Sequence, residues 1–242
     1  IANGVLDDMP IWDNKSYVSN PILCDGDGPI NKFRKWVSQF YSEPLQNWSL
    51  AKVHFFYSTM NAGKSTALLQ SNYNYQERGM QTLLFLPKID AEKNNGKIHS
   101  RIGLKADAVS VDKDFNFFNH VSQKQMEKTI NCILIDEVQF LSKYQIRQIC
   151  KVCDELDIPA MCYGIRTDFQ GNLFEGSSEL LALADNLIEL KTVCYCGRKA
   201  IMVVRLDENG KIVKDGDQIK IGGNDSYRVL CRKHFRELTQ LI

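Results

Sequence analysis

The sequence predicts an α/β domain: a mainly parallel sheet flanked by helices. Three observations carry this. From Ala51 onward, apolar runs of strand length alternate with longer stretches of helical pattern. A glycine-bearing loop, Ser58–Ser65, begins where the first apolar run ends and a helical stretch follows. A later apolar run, Ile133-Leu134-Ile135, closes on two acids, Asp136 and Glu137. In such sheets ligands lie beyond the carboxyl ends of the strands, so both features stand at ligand-binding positions.

In chain order, AKVHFFY (51–57) is the first strand, and KSTALLQSNYNYQER is a helix with Gly79 at its C-cap position. TLLFL (82–86) is the second strand, closed by Pro87. The polar stretch 88–103, with Asn94-Asn95-Gly96, is expected to be a mobile loop. DFNFFNHVSQKQMEK is a helix, NCILIDE the third strand, LSKYQIRQICKVCDEL an amphipathic helix and IPAMCYG the fourth strand. Near the C-terminus a hairpin is expected around Asn209-Gly210.

Composition narrows the class. A chain of 242 residues, 44% hydrophobic and 24% charged, holds one or two globular domains with a substantial core. A net charge of +1 argues against nucleic acid as a partner. Apolar runs such as LLFL and CILI are too short to span a membrane, and no secretory signal is visible, so a cytoplasmic location is expected. Eight cysteines in a reducing compartment point to metal binding where they cluster. The chain starts at Ile1 rather than Met and reads as a fragment or processed product. Residues 1–50 differ in character, with six acids, four bases and all three tryptophans. There Ile30, Phe33, Val37 and Phe40 fall at helical spacing, as in a helix docked on the rest.

The loop Ser58-Thr59-Met60-Asn61-Ala62-Gly63-Lys64-Ser65 fits the phosphate-binding pattern G-x-x-x-x-G-K-[ST] except at its first position. Successive backbone N–H groups and the following helix N-terminus cradle phosphate oxygens. Lys64 reaches the β- and γ-phosphates of ATP, and Ser65 offers its hydroxyl to Mg²⁺. Asp136 is placed to hold the same Mg²⁺, and Glu137 to act as general base. Whether the nucleophile is water or a substrate hydroxyl separates an ATPase motor or switch from a kinase, and these motifs leave both open.

Cys194, Cys196, Cys231 and His234 form two close pairs, a Cys₃His set suited to structural zinc. The C-x-C spacing is tighter than usual, so four unconnected side chains remain an alternative on spacing alone. Cys150 and Cys153 also match C-x-x-C, but they share a helical face with Ile146, Ile149 and Leu156 and read as core. Cys24, Cys132 and Cys162 read as buried. His54, His99 and His120 have no partner motif.

The blocks FFYSTMNAGKSTALL, LIDEVQF, YGIRTDFQG, LIELKTVCYCGRKA and IGGNDSYRVLCRKH, in that order, resemble the type II thymidine kinases, the zinc-containing family, over about residues 51–237. The resemblance implies a P-loop NTPase-like (RecA-like) fold with a small C-terminal zinc-binding lasso subdomain. It divides the chain into an extension (1–50), a kinase domain (51–190) and a zinc and nucleoside-lid subdomain (191–242). It implies ATP:thymidine 5′-phosphotransfer giving dTMP, with ATP, Mg²⁺ and structural Zn²⁺, feedback inhibition by dTTP, and a homotetramer. Gln139 would join the ATP and Mg²⁺ site, and Glu137 would be catalytic. Met60, Phe169, Ile219, Lys220, Ile221, Gly222, Gly223 and Tyr227 would meet the nucleoside. The family's Asp-x-Arg is here Asp90-Ala91-Glu92, so that arginine's role is not carried over; Arg101 and Arg166 are candidate charge donors.

Overall fold

The computed structural model describes residues 51–219 and 226–241. The helix expected at 29–41, Cys24, and the expected nucleoside contacts Lys220, Ile221, Gly222 and Gly223 therefore lie outside the described residues. The chain runs β1 (Val53–Ser58), α1 (Lys64–Glu77), β2 (Thr82–Pro87) and the short α2 (Lys88–Ala91). Then come β3 (Lys97–His99), β4 (Lys105–Asp107), β5 (Val109–Val111), α3 (Phe117–Glu127) and β6 (Cys132–Ile135). A 3₁₀ turn, Val138–Phe140, leads to α4 (Lys143–Leu156), β7 (Ala160–Ile165), α5 (Glu175–Leu183) and β8 (Asn186–Glu189). The C-terminal part holds β9 (Thr192–Val193), β10 (Lys199–Ala200), β11 (Met202–Leu206), β12 (Ile212–Val213), β13 (Tyr227–Leu230) and α6 (Arg232–Thr239).

The central sheet has six strands in the order β5-β2-β6-β7-β1-β8, and every ladder in it is parallel. Burial on both faces explains the continuous apolar runs. Along β6, Cys132 and Leu134 join Leu68 and Leu69 of α1 in one core layer. Ile133 and Ile135 point into the opposite layer, with Val121 of α3 and Ile146 and Ile149 of α4. Cys153 is buried in that second layer and Cys150 packs against it, while Cys132 and Cys162 are fully buried, as their contexts imply. Ser142 and Gln145 form a reciprocal capping box that starts α4.

The segment 88–103 departs from the expected mobile loop. It forms α2 and, with β4, an antiparallel hairpin registered Lys97↔Asp107, Ile98↔Ala106 and His99↔Lys105. Ile98 is its anchor, buried with Leu68 and Leu134. Ala91 and Ile98, the two buried residues of the segment, stand apart in polar text and leave no periodicity to read. β5, β8 and α5 were likewise not anticipated; β5 and β8 are three- and four-residue edge strands, partly exposed.

C-terminal to the sheet, β9 and β10 pair as a hairpin, and β12-β11-β13 make an antiparallel sheet against α6. The expected turn is present, with Gly210 at φ 75° between β11 and β12. Among the described residues no helix is long and apolar enough to cross a membrane.

Candidate active site

The loop after β1 is shaped by two left-handed residues, Asn61 at φ 63° and Gly63 at φ 76°. Gly63 is the N-cap of α1 and no side chain caps that terminus, which leaves the first-turn N–H groups to an incoming ligand. Ser58, the departure from the glycine pattern, is the last residue of β1 and does not have positive φ, so its position does not demand glycine. It is used instead as a support. Lys64 Nζ donates to Ser58 Oγ at 3.2 Å and to the Thr59 carbonyl at 2.8 Å. Ser58 and Thr59 are thus buried beneath the loop, while Met60 through Ser65 face a cavity of about 550 Å³.

β7 separates β1 from β6, and the acids at the end of β6 come to the same cavity mouth. Asp136 is 2% exposed, and its backbone N–H donates to the Phe85 carbonyl. Burial pushes its carboxyl up to about 7, the Glu137 charge adds to this, and a hydrogen bond from Ser65 and the Lys64 charge oppose it. For Lys64, burial lowers the ammonium's pKa, Glu137 and Asp136 raise it, and Arg101 lowers it further. The two acids, Ser65, Lys64 and Arg101 therefore form one electrostatic cluster. Arg101 reaches the loop directly, bonded to Asn61 Oδ1.

Glu137 sits at φ 51°, an uncommon conformation for a residue with a side chain, and it lines the cavity. Gln139 accounts for its orientation. The Gln139 amide donates to Glu137 Oε2, and its carbonyl accepts the Ile165 N–H at 3.1 Å. Both ends of Gln139 are thereby committed to protein. Gln139 links β7 to Glu137 while itself lining the cavity.

The same cavity carries aromatic walls: Phe169, 2% exposed, with Phe140, Phe174 and Tyr227. Met60, Ile219 and Arg101 also line it, so these members of the expected set are brought together. Arg166 is not: its guanidinium donates to the Ile201 carbonyl at 3.4 Å and its backbone N–H to the Ser58 carbonyl. Sequence reasoning missed Asp90, Lys93, Val203 and Gln218 in the lining, and Arg205 behind it. Burial and the neighbouring Glu137 charge raise the Asp90 carboxyl, against Lys93 and an Asn94 hydrogen bond.

Cys194, Cys196, Cys231 and His234 offer ligand atoms that all lie within 4.8 Å of one another. Cys196 Sγ to Cys231 Sγ is 3.9 Å, and His234 Nδ1 lies 3.4 Å from Cys194 Sγ and 3.5 Å from Cys231 Sγ. A tetrahedral zinc with ordinary bond lengths requires edges of about 3.8 Å between sulfurs and about 3.5 Å from sulfur to nitrogen. The donor set fits zinc in both chemistry and spacing. Gly197, at φ 80°, turns the C-x-C segment, and its N–H donates to the Cys194 carbonyl. Burial opposes ionisation of Cys194, but backbone N–H groups of Cys196 and Cys231, with His234, hold its thiol down at about 6. Tyr195 stacks on the His234 ring at 4.4 Å.

A parallel sheet with a phosphate loop at one strand end and paired acids at another defines a P-loop nucleotide-binding protein. A family model described as Thymidine kinase matches residues 51–235. The chain is 56% identical to the thymidine kinase of Rhodopirellula baltica over 188 residues, 78% of this chain and 89% of that protein. It is 55% identical to the thymidine kinase of Shewanella oneidensis over 188 residues, 78% of this chain and 98% of that protein. It belongs to the thymidine kinase family. A separate family model, described as 3-Ketosteroid 9alpha-hydroxylase C-terminal domain, matches residues 1–41, outside the kinase match. A solved structure of the replication initiator DnaA bound to AMPPCP and single-stranded DNA aligns at 16% identity and a TM-score of 0.37. That alignment covers 72% of this chain and 49% of the other.

Proposed function

We propose that the chain transfers the γ-phosphoryl group of ATP to the 5′-hydroxyl of thymidine, giving dTMP and ADP. One observation carries the reading beyond family membership: a single cavity is lined by the phosphate loop, by Glu137 and by the Phe169 and Tyr227 rings. A nucleotide phosphate site that shares its cavity with an aromatic slot suits a nucleoside acceptor better than a motor or switch, and no feature favours the latter.

In this reading the loop N–H groups from Met60 to Ser65 bind the ATP phosphates, and Lys64 leaves Thr59 to meet the β- and γ-oxygens. Ser65 and Asp136 would hold Mg²⁺, which when bound neutralises charge on the transferring group. Glu137 accepts the proton of the 5′-hydroxyl, oriented by Gln139. Arg101, held at Asn61, is the candidate cation for the phosphoryl oxygens. Phe169, Met60, Ile219 and Tyr227 enclose the thymine base. The Cys₃His set would hold structural zinc and fix the geometry of β11–β13. A homotetramer, inhibition by dTTP and a cytoplasmic location belong to the same proposal.

The test is incubation with γ-labelled ATP, with and without thymidine. Label in dTMP that depends on thymidine supports the reading. Inorganic phosphate released without nucleoside, with no dTMP, contradicts it.

A further inference from the structure

Arg205 is 3% exposed on β11. Its Nη2 donates to the Asp217 carbonyl at 2.7 Å and to the Gln218 carbonyl at 3.2 Å. Its guanidinium lies 3.9 Å from the centroid of the Phe169 ring and 5.8 Å from that of Tyr227. Among the described residues no carboxylate pairs with it, and its Nε is buried with no acceptor. A buried cation that, among the described residues, is offset only by carbonyl dipoles and ring faces is a costly way to fill space, and an apolar side chain of similar volume would stabilise the fold as well or better. What the guanidinium provides and an apolar chain does not is direction: a flat face for one ring and a fixed fork for two carbonyls.

The two things it joins are the two walls of the nucleoside end. Phe169 lines the cavity from the segment after β7, and Gln218 and Ile219 line it from the segment before β13. A second tie runs beside it. The Gln218 amide donates to Asp168 Oδ2 at 2.8 Å, while Asp168 Oδ1 accepts the N–H groups of Gln170 and Asn172. Asp168 thus fixes the backbone turn that follows Phe169, and Arg205 fixes the ring against the opposite wall.

We propose that Arg205 is a positioning residue for the acceptor: it clamps the Phe169 ring to the Asp217–Gln218 backbone and so sets the slot in which a flat base is held. This rests on the nucleoside-kinase reading. Arg205 acts through Phe169 and through the two carbonyls, and it leaves the phosphate loop untouched. Its loss therefore weakens acceptor binding while sparing ATP. Lysine does not substitute for it, because an ammonium has neither the planar face nor the fork.

The test compares the parent protein with Arg205→Lys and Arg205→Met in steady-state kinetics, with zinc content and thermal midpoint measured on each. The KM for thymidine is expected to rise about tenfold in both variants, the equivalent of losing one charge-assisted hydrogen bond. The KM for ATP and the zinc content stay at parent values. In a Phe169→Leu background, the penalty of Arg205→Lys shrinks to about twofold, because the ring it acts through is gone. Thymidine KM unchanged in both variants overturns the inference, as does a full tenfold penalty in the Phe169→Leu background. So does a parallel rise in both KM values with zinc loss, which marks general destabilisation. Absence of dTMP from the parent overturns the kinase reading itself, whereas normal parent turnover with indifferent variants overturns this inference alone.

Discussion

Replacing Gly164 with alanine is expected to impair the site through Gln139. A Cβ built on Gly164 would meet Val138 Cγ2 at 2.7 Å and Gln139 Oε1 at 2.8 Å, whereas ordinary contact starts at 3.4 Å. Each neighbour must therefore retreat by about 0.6–0.7 Å. Gln139 has little freedom to do so, since Oε1 accepts the Ile165 N–H and Nε2 holds Glu137. Moving the amide breaks one of the two bonds, and the bond to the carboxylate is the longer lever on chemistry. A hydrogen bond to a charged group contributes about 1.5–3 kcal/mol. If it serves to orient the base, its loss lowers kcat by about ten- to a hundredfold. Overpacking separately costs about 1–3 kcal/mol of stability. Urea denaturation measures the second effect, and kcat at saturating thymidine and ATP measures the first. Gln139→Ala should reproduce the kcat loss, and the double variant should fall short of the product of the two single effects. A folded Gly164→Ala protein with parent kcat, or multiplicative losses in the double variant, would refute the chain from Gly164 through Gln139 to Glu137.

Glu137→Gln is expected to lose about 10²–10⁴ in turnover while equilibrium dialysis still shows ATP bound; near-normal turnover would contradict its role as base. Cys231→Ser should release zinc and lower the thermal midpoint, and an unchanged zinc stoichiometry would contradict the ligand set. Asp136 makes a pH prediction for the ligand-free protein. Its folded carboxyl is raised to about 7, first by burial and then by Glu137, whereas the unfolded chain titrates near the ordinary value of about 4. The folded state thus binds the extra proton between those limits, and stability falls as pH rises through them, levelling off above about 7. Asp136→Asn should flatten this slope by on the order of 2–3 kcal/mol between pH 5 and pH 8, read by urea denaturation. A variant with the parent slope would show that another group is responsible. By the same sign, Mg²⁺-ATP should bind more tightly as pH rises through that window, since metal binding needs the carboxylate.

What could be read from the sequence follows from how each feature is held in place. β1, β2, β6 and β7 were legible because burial on both faces writes them as unbroken apolar runs, as in CILI. The phosphate loop was legible because its contacts are local, and the metal set because its ligands come in two close pairs. The hairpin of β3 and β4 was not, since one residue, Ile98, carries its anchorage. The same logic explains the functional residues that escaped notice. Arg205 binds carbonyls 12 and 13 positions away, and Gln139 binds a backbone N–H 26 positions away. Backbone partners impose no residue type on the sequence at the far end, so such contacts leave no paired signature. A single charged residue in an apolar strand, as in MVVRL, was the one local sign that β11 does more than pack. Its value is physical: a strand that buries Met202, Val203, Val204 and an arginine together must supply that cation with partners from elsewhere in the fold. Those partners turn out to be the two walls of the cavity.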